Sequence, residues 1–432
     1  MRLTVAASVG AKVVSVLCTL AQVPLALHAL GPEAYGLWIT LMSLMVMLNF
    51  IDFGLGVGMQ KAMASAFGRD DAPQLRRVFF SGALALGGLA LLTLLIGVPL
   101  ALGLEWGGLF KISDAGLRSQ AGPALAVTLA AFAIGLPFNA VSRLAAAAQR
   151  GWLHAGWIAV GSAASLGVVA LAARAHWGFL PFLALTMLLP AVQGAGLFLH
   201  LRVALGWAGQ KMAFLPKAEW RALAGDSLLF AVPQAGLAFV QAAPPLALAF
   251  AAGPVAATAF NLLQRLYSPV TQGQTLFLTP LWPAVTEAHV RGDTAWVRRA
   301  FHQSLLVAAG CAAAVGLLTW QSDRLLHWWV GATATTAGGA FAWLTCGWFV
   351  IQIAWQPLMY LLVGVGRLPT LAVWGLVGPG LSLAGMLIGV ACHGGSLGVL
   401  AGAGIGLAVG GLPGLATATA RALHDLPGRP RP

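Results

Sequence analysis

Polar side chains recur at helical spacing inside long apolar stretches of this chain, and two of these stretches also carry a cation. In the first, Thr4, Ser8, Lys12, Ser15, Thr19 and Gln22 follow at steps of three or four, which sets them on one stripe of a helix. Asn261, Gln264, Arg265, Ser268 and Gln272 form a second stripe, Gln352 and Gln356 share a face, and Ser227, Gln234 and Gln241 are seven apart. Amides and hydroxyls placed in this way either tie helices together or hydrogen-bond a polar cargo. A cation has fewer options, because Lys or Arg at mid-helix against lipid costs at least about 2.5–3.5 kcal/mol. Lys12 is near enough to its helix end to reach the membrane surface, whereas Arg265 needs a partner or a watery cavity. The expected cavity lining is Arg265 with Asn261, Gln264 and Ser268, Lys12 with Ser15, Thr19 and Gln22, and the glutamines Gln234, Gln241, Gln352 and Gln356. Asp52 and Asp226 are the candidate coupling acids. Each has a structural alternative, an ion pair for Asp52 and a helix N-cap for Asp226. Glu287 reads as a partner for Arg291, four residues on.

Membrane-spanning helices are needed to position these residues. Of 432 residues 59% are hydrophobic and 8% are charged, against roughly 25% charged in a soluble domain. The apolar runs are long enough to span and lack the period-two alternation of a barrel, so each must satisfy its backbone as a helix. The expected fold is an all-α membrane protein with about twelve transmembrane helices. They lie near 4–30, 34–57, 78–104, 121–146, 154–174 and 179–201, then 223–250, 255–285, 302–320, 338–363, 368–391 and 396–422. They form a six-helix lobe over 1–205 and another over 223–424, joined by a cytoplasmic linker at 206–222 and followed by a tail at 425–432. Within the linker, LysAlaGluTrpArg at 217–221 reads as a surface helix with Trp220 at the membrane interface. Lys12 interrupts the first apolar run and no cleavage site follows, so that run is expected to be a retained helix. Eighteen of the 24 Lys and Arg residues fall in links on one side. Lys111, Arg118, Arg174 and Arg324 fall on the other, so both termini are expected in the cytoplasm. This bias accounts for the net charge of +12 without a nucleic-acid partner.

The two lobes repeat in parallel. Moving residues 31–79 by 222 positions aligns them without a gap on 253–301, with twelve identities. These include Gly31/Gly253, Pro32/Pro254, Arg69/Arg291, Asp71/Asp293, Arg76/Arg298 and Arg77/Arg299. Transporters built from repeats place substrate where the repeats meet. Near the end of the chain Gly394, Gly398, Gly402, Gly406, Gly410 and Gly414 make a smooth ridge on which another helix of the bundle can pack closely. Cys18, Cys311, Cys346 and Cys392 lie far apart in apolar runs and read as buried thiols, with neither disulfide nor metal spacing. GlyLeuGlyValGly at 54–58 follows no strand, and no phosphate-binding loop or HisGluXaaXaaHis occurs. An enzyme, a metal and a cofactor are therefore not expected. A polysaccharide polymerase or glycosyltransferase would call for a sizeable external loop or an acid-rich site.

LeuGlyProGluAlaTyrGlyLeuTrp at 30–38, AspPheGlyLeuGly at 52–56 and GlnLysAlaMetAlaSerAlaPheGlyArgAspAsp at 60–71 resemble the N-terminal signature of bacterial polysaccharide flippases. These are the O-antigen and exopolysaccharide transporters of the multidrug/oligosaccharidyl-lipid/polysaccharide exporter superfamily. The resemblance implies a multi-pass protein of the bacterial inner membrane. Such a protein flips a polyprenyl-pyrophosphate-linked oligosaccharide for polysaccharide biosynthesis by alternating access. It would act among membrane lipids, with H+ or Na+ as the coupling ion and other polysaccharide-assembly proteins as partners. The alternative within the superfamily is a multidrug/cation antiporter. That branch typically carries an acid in the first helix, where this chain has Lys12.

Overall fold

The computed structural model describes residues 2–49, 55–207, 209–216, 219–220, 240–331, 338–392 and 394–425, and these form helices and their links, with no strand. The chain divides into two compact units, Met1–Val232 and Pro233–Pro432.

In the N-terminal unit, α1 (Arg2–Leu48) bends sharply at Gly31, whose φ of 75° and ψ of 167° lie outside the helical region. Only glycine takes a positive φ at no steric cost, and Pro32 then starts the second arm. After α2 (Leu55–Gly68), α3 (Ala72–Leu92) passes through a π turn into α4 (Val98–Gly103). The short α5 (Trp106–Leu109) leads to α6 (Ala115–Gly135), which runs through a 3-10 turn into α7 (Asn139–Ala147). Then come α8 (Gly151–Ala175) and α9 (Phe179–Ala204). The C-terminal unit holds α10 (Val240–Ala252), α11 (Pro254–Leu278), α12 (Leu281–Val290), α13 (Thr294–Trp320) and α14 (Ser322–Val330). It continues with α15 (Gly339–Gly364), α16 (Leu368–Ala391) and α17 (Gly395–Ile405), the last passing through a π turn into α18 (Leu412–His424).

Among the described residues nine helices are long and apolar enough to cross a membrane. The bent α1 contributes two spans, and α10 and the polar α11 add to the set, giving an all-α membrane fold with about twelve transmembrane helices. Large apolar side chains on these helices face outward, as Leu95, Leu306 and Val409 do at 65%, 72% and 73% exposure. A water-exposed surface would not carry such a coat.

Two expected spans break earlier than the apolar runs suggested. The run at 34–57 ends its helix at Leu48, and the run at 255–285 ends at Leu278 before α12 begins. In the second case Pro280 and Pro283 lack the N–H that a continuous helix needs. The linker differs as well. Residues 211–216 have no regular structure and only 219–220 are described as helical. Trp220 packs on the apolar core of the N-terminal unit, and the Leu215 N–H donates to Ser81 Oγ at 2.7 Å. Of the four cysteines only Cys346 is buried, while Cys18 and Cys311 are partly exposed and Cys392 is exposed at the end of α16.

Each unit carries the repeat in its local geometry. Asp71 Oδ1 accepts from the Gln74 N–H at 2.9 Å to cap α3, and Asp293 Oδ1 accepts from the Trp296 N–H at 3.0 Å to cap α13. The residues just before these caps, Asp70 and Gly292, both have positive φ, at 54° and 74°. Gly253 has φ of 87° ahead of Pro254, matching Gly31. The glycine ridge packs against α16 within the C-terminal unit. A Cβ on Gly402 would lie 2.1 Å from the Gly385 carbonyl oxygen, and one on Gly406 would lie 2.2 Å from that of Leu381. Ser382 Oγ donates to the Ala403 carbonyl across the same seam at 2.9 Å.

Candidate functional site

The C-terminal unit contains two adjoining cavities of about 370 and 230 Å³. Gln241, Thr275, Gln352 and Gln356 line both. Helix α15 builds the largest share of the wall. Trp348, Gln352, Trp355, Gln356, Met359, Tyr360 and Val363 follow at steps of three and four, with adjacent pairs, and so lie on one face. Gln264, Thr271, Gln272 and Thr275 come from α11, and Gln241 from α10. Trp282 comes from α12, which is seated on α15 at Gly364. A Cβ there would lie 2.5 Å from the Val285 side chain. Among the described residues, none that lines either cavity is charged.

Proline shapes both walls, and a side chain repairs each interruption. Pro357 in α15 cannot donate to the Ile353 carbonyl, and Gln274 Nε2 supplies that bond at 2.8 Å. Pro269 in α11 likewise frees the Arg265 carbonyl, and Ser268 Oγ donates to it at 2.9 Å. In an apolar medium such freed carbonyls must be met internally. Three donors on cavity-lining residues have no acceptor among the described residues: Trp348 Nε1, Trp355 Nε1 and Gln352 Nε2. The two indoles are almost fully buried, at 1% and 2% exposure.

The structure brings some of the expected lining residues together and leaves others apart. Gln241, Gln264, Gln352 and Gln356 meet in the two cavities. Asn261 is buried, with its amide 3.4 Å from Gln264 Oε1, and is not in the cavity wall. Arg265 is half-buried beside Gln264, and its Nε is buried without an acceptor. It lines neither cavity. In the N-terminal unit, Ser15 and Thr19 donate to the carbonyls of Ala11 and Ser15, and Gln22 Nε2 donates to Ser165 Oγ at 2.9 Å. Ser15 and Thr19 thus bond within α1 itself, and of the three only Gln22 ties α1 to α8. Lys12 is exposed and makes no ion pair among the described residues. Asp52, Asp226 and Gln234, with Ser227, lie outside the described residues, as do the side chains of Thr4 and Ser8. Glu287 pairs with Arg291 at the surface.

Sequence reasoning missed the aromatic part of the wall, Trp282, Trp348, Trp355 and Tyr360, and the threonines Thr271 and Thr275. The signal was present, since Trp348 and Tyr360 are in helical phase with Gln352 and Gln356. It also missed a cavity of about 420 Å³ in the N-terminal unit. Met42, Met45, Met187 and Trp157 line it with Asn49, Asn139 and His154, and Asn139 Nδ2 donates to Asn49 Oδ1 at 2.9 Å. The repeat relates the two sites: Met42 stands where the C-terminal unit has Gln264, and Asn49 where it has Thr271.

No protein-family model and no curated protein matches the chain at the sequence level. Solved structures do match it over nearly its whole length. A multidrug resistance MATE family transporter of the MOP superfamily, in an inward-facing conformation, is 15% identical with a TM-score of 0.74, covering 95% of this chain and 96% of that one. The lipid II flippase MurJ, in an inward closed conformation, is 10% identical with a TM-score of 0.68, covering 99% and 90%. A MOP superfamily transporter from Pyrococcus furiosus, whose binding pocket is described as reversed in polarity, is 16% identical with a TM-score of 0.63, covering 98% and 94%. At these identities the likeness establishes the fold alone, the one these solved transporters share.

Proposed function

We propose that this chain is a transporter of the bacterial cytoplasmic membrane that flips a polyprenyl-pyrophosphate-linked oligosaccharide by alternating access. The observation that carries this reading is the chemistry of the C-terminal unit. A cavity lined by amides, hydroxyls and indoles, with no charged side chain among its described residues, lies beside Arg265, a guanidinium whose Nε has no acceptor among the described residues. Amides suit a glycan, and a guanidinium suits a pyrophosphate, which it can bind with two parallel hydrogen bonds. A cationic drug would call for acids in the wall. Lys12, exposed on α1, is the second cation in this proposal. Asp52 and Asp226 remain the proposed coupling acids for H+ or Na+, and other polysaccharide-assembly proteins the proposed partners.

Reconstituted vesicles test the reading. Fluorescent polyprenyl-pyrophosphoryl sugar should move to the inner leaflet faster with the protein than in empty vesicles. Ion-driven efflux of rhodamine 6G without any movement of the lipid-linked sugar would instead establish the drug antiporter.

A further inference from the structure

We infer that the paired cavities of the C-terminal unit form a subsite for uncharged sugar residues. It reads the glycan and discriminates against acidic sugars. The inference rests on the flippase reading for its cargo, but its grounds are local. The wall presents five glutamines, Gln241, Gln264, Gln272, Gln352 and Gln356, each able to donate and accept at once. Adjacent hydroxyls on a sugar ring need that combination. A phosphate would need a cation and a cationic drug an anion, and the described residues of this wall include neither.

The unpartnered donors point the same way. A buried N–H without an acceptor costs about 1–3 kcal/mol, and native proteins rarely leave one so. Here three such groups, Trp348 Nε1, Trp355 Nε1 and Gln352 Nε2, all belong to residues of the cavity wall. Their missing complement is a set of acceptors, and a polyhydroxylated ligand supplies hydroxyl oxygens. Trp282, 41% exposed in the same wall, also offers flat apolar surface for the C–H side of a pyranose ring. A uronic acid carries the same oxygens plus a carboxylate, which would meet no counter-charge among the described residues of the wall, since Arg265 lies outside it, and burying an unpaired carboxylate is strongly unfavourable. The N-terminal cavity shows the contrast. Its methionines at 42 and 45 match Gln264 and Tyr267 in the repeat, and it lacks the glutamine stripe.

The test uses the purified full-length chain in lipid nanodiscs and free trisaccharides, which carry neither lipid nor pyrophosphate. Equilibrium dialysis compares neutral trisaccharides in the gluco, galacto, manno and N-acetylgluco series with trigalacturonate. At least one neutral trisaccharide should bind, tenfold or more tighter than the uronate. The double variant Gln352→Leu/Gln356→Leu should lose that binding at least tenfold. Its melting temperature should not fall, since the change removes an unpartnered amide. Gln241→Leu, on a different helix, should weaken binding in the same direction. No binding by any neutral trisaccharide, equal binding of the uronate, or unchanged affinity in both variants would overturn the inference. These outcomes are separate from the fate of the flippase reading, which the lipid-linked assay decides. A protein that flips its cargo but ignores free sugars retains the function and loses the subsite.

Discussion

Arg265 stands near the middle of a 25-residue helix, half-buried, and its guanidinium Nε is buried and has no partner among the described residues. Removing one partner of a buried charge pair costs about 2–5 kcal/mol, so Arg265→Ala should slow flipping by more than about tenfold. Abundance in the membrane should stay as in the parent protein. Arg265→Lys should keep part of the activity, because a lysine retains the charge and loses the two-pronged geometry. Flipping rate and immunoblot from the same vesicles separate this from a structural role, which would lower abundance and leave turnover per molecule unchanged. A second residue-scale prediction concerns Gln274, whose amide serves the carbonyl that Pro357 leaves free. Gln274→Leu should destabilise the protein by about 1–3 kcal/mol, read as a lower unfolding temperature in detergent. Adding Pro357→Ala should relieve much of that loss, since an alanine there restores the helix's own donor. Spacing alone identified Gln241, Gln264, Gln352 and Gln356, because wall residues of a helix must share a face. It could not separate them from Ser15, Thr19 and Ser268. The hydroxyls of these three reach carbonyls three or four residues back on the same helix, and the spacing that marks a wall also permits that bond. The tryptophans escaped because only polar atoms were weighed, although an indole contributes both an apolar face and a donor.

At the scale of elements, the seam of α16 with α17 depends on glycine for backbone approach, and the requirement differs from one glycine to the next. A methyl on Gly402 would meet the Gly385 carbonyl oxygen at 2.1 Å, whereas one on Gly404 would meet only the end of Ile351, at 4.0 Å. Gly402→Ala should therefore lower the unfolding temperature, with the loss of about 1–3 kcal/mol typical of overpacking. Gly404→Ala should be neutral or raise it slightly, because alanine is favoured over glycine in a helix by about 1 kcal/mol. Equal effects of the two changes in a thermal scan would refute the close-approach account. The sequence displayed this ridge, since a fourfold glycine period has few other uses inside a span. It also displayed the starts of helices, where Gly31–Pro32, Gly253–Pro254, Asp71 and Asp293 carry turn and cap chemistry. The ends were harder. Hydropathy continues through Leu48 and through Leu278 into residues that belong to separate helices, and apolarity does not mark where one helix stops and the next begins.

At the scale of the molecule, the chain's charge is as unevenly spread as its polarity. Apolar side chains such as Leu306 and Val409 coat the helices, while Lys and Arg gather in the links. The short links after α2 and α12 hold Arg69 and Arg291, and the second turns of α3 and α13 add Arg76, Arg77, Arg298 and Arg299. The segments that hold Lys111 and Arg324 carry far less positive charge. On the positive-inside bias we propose that the first group, with both termini, faces the cytoplasm, because a cluster of Lys and Arg is retained on that side during insertion. Single cysteines introduced in a cysteine-free background near 72, 293 and the C-terminal end of α18 should resist a membrane-impermeant maleimide added to intact cells. They should react once the membrane is opened. Cysteines near 110 and 330 should react before opening. Lys111, with its positive φ of 51° in an exposed turn, offers a position where the side chain is accessible. Labelling near 72 and 293 in intact cells, with protection near 110 and 330, would reverse the topology.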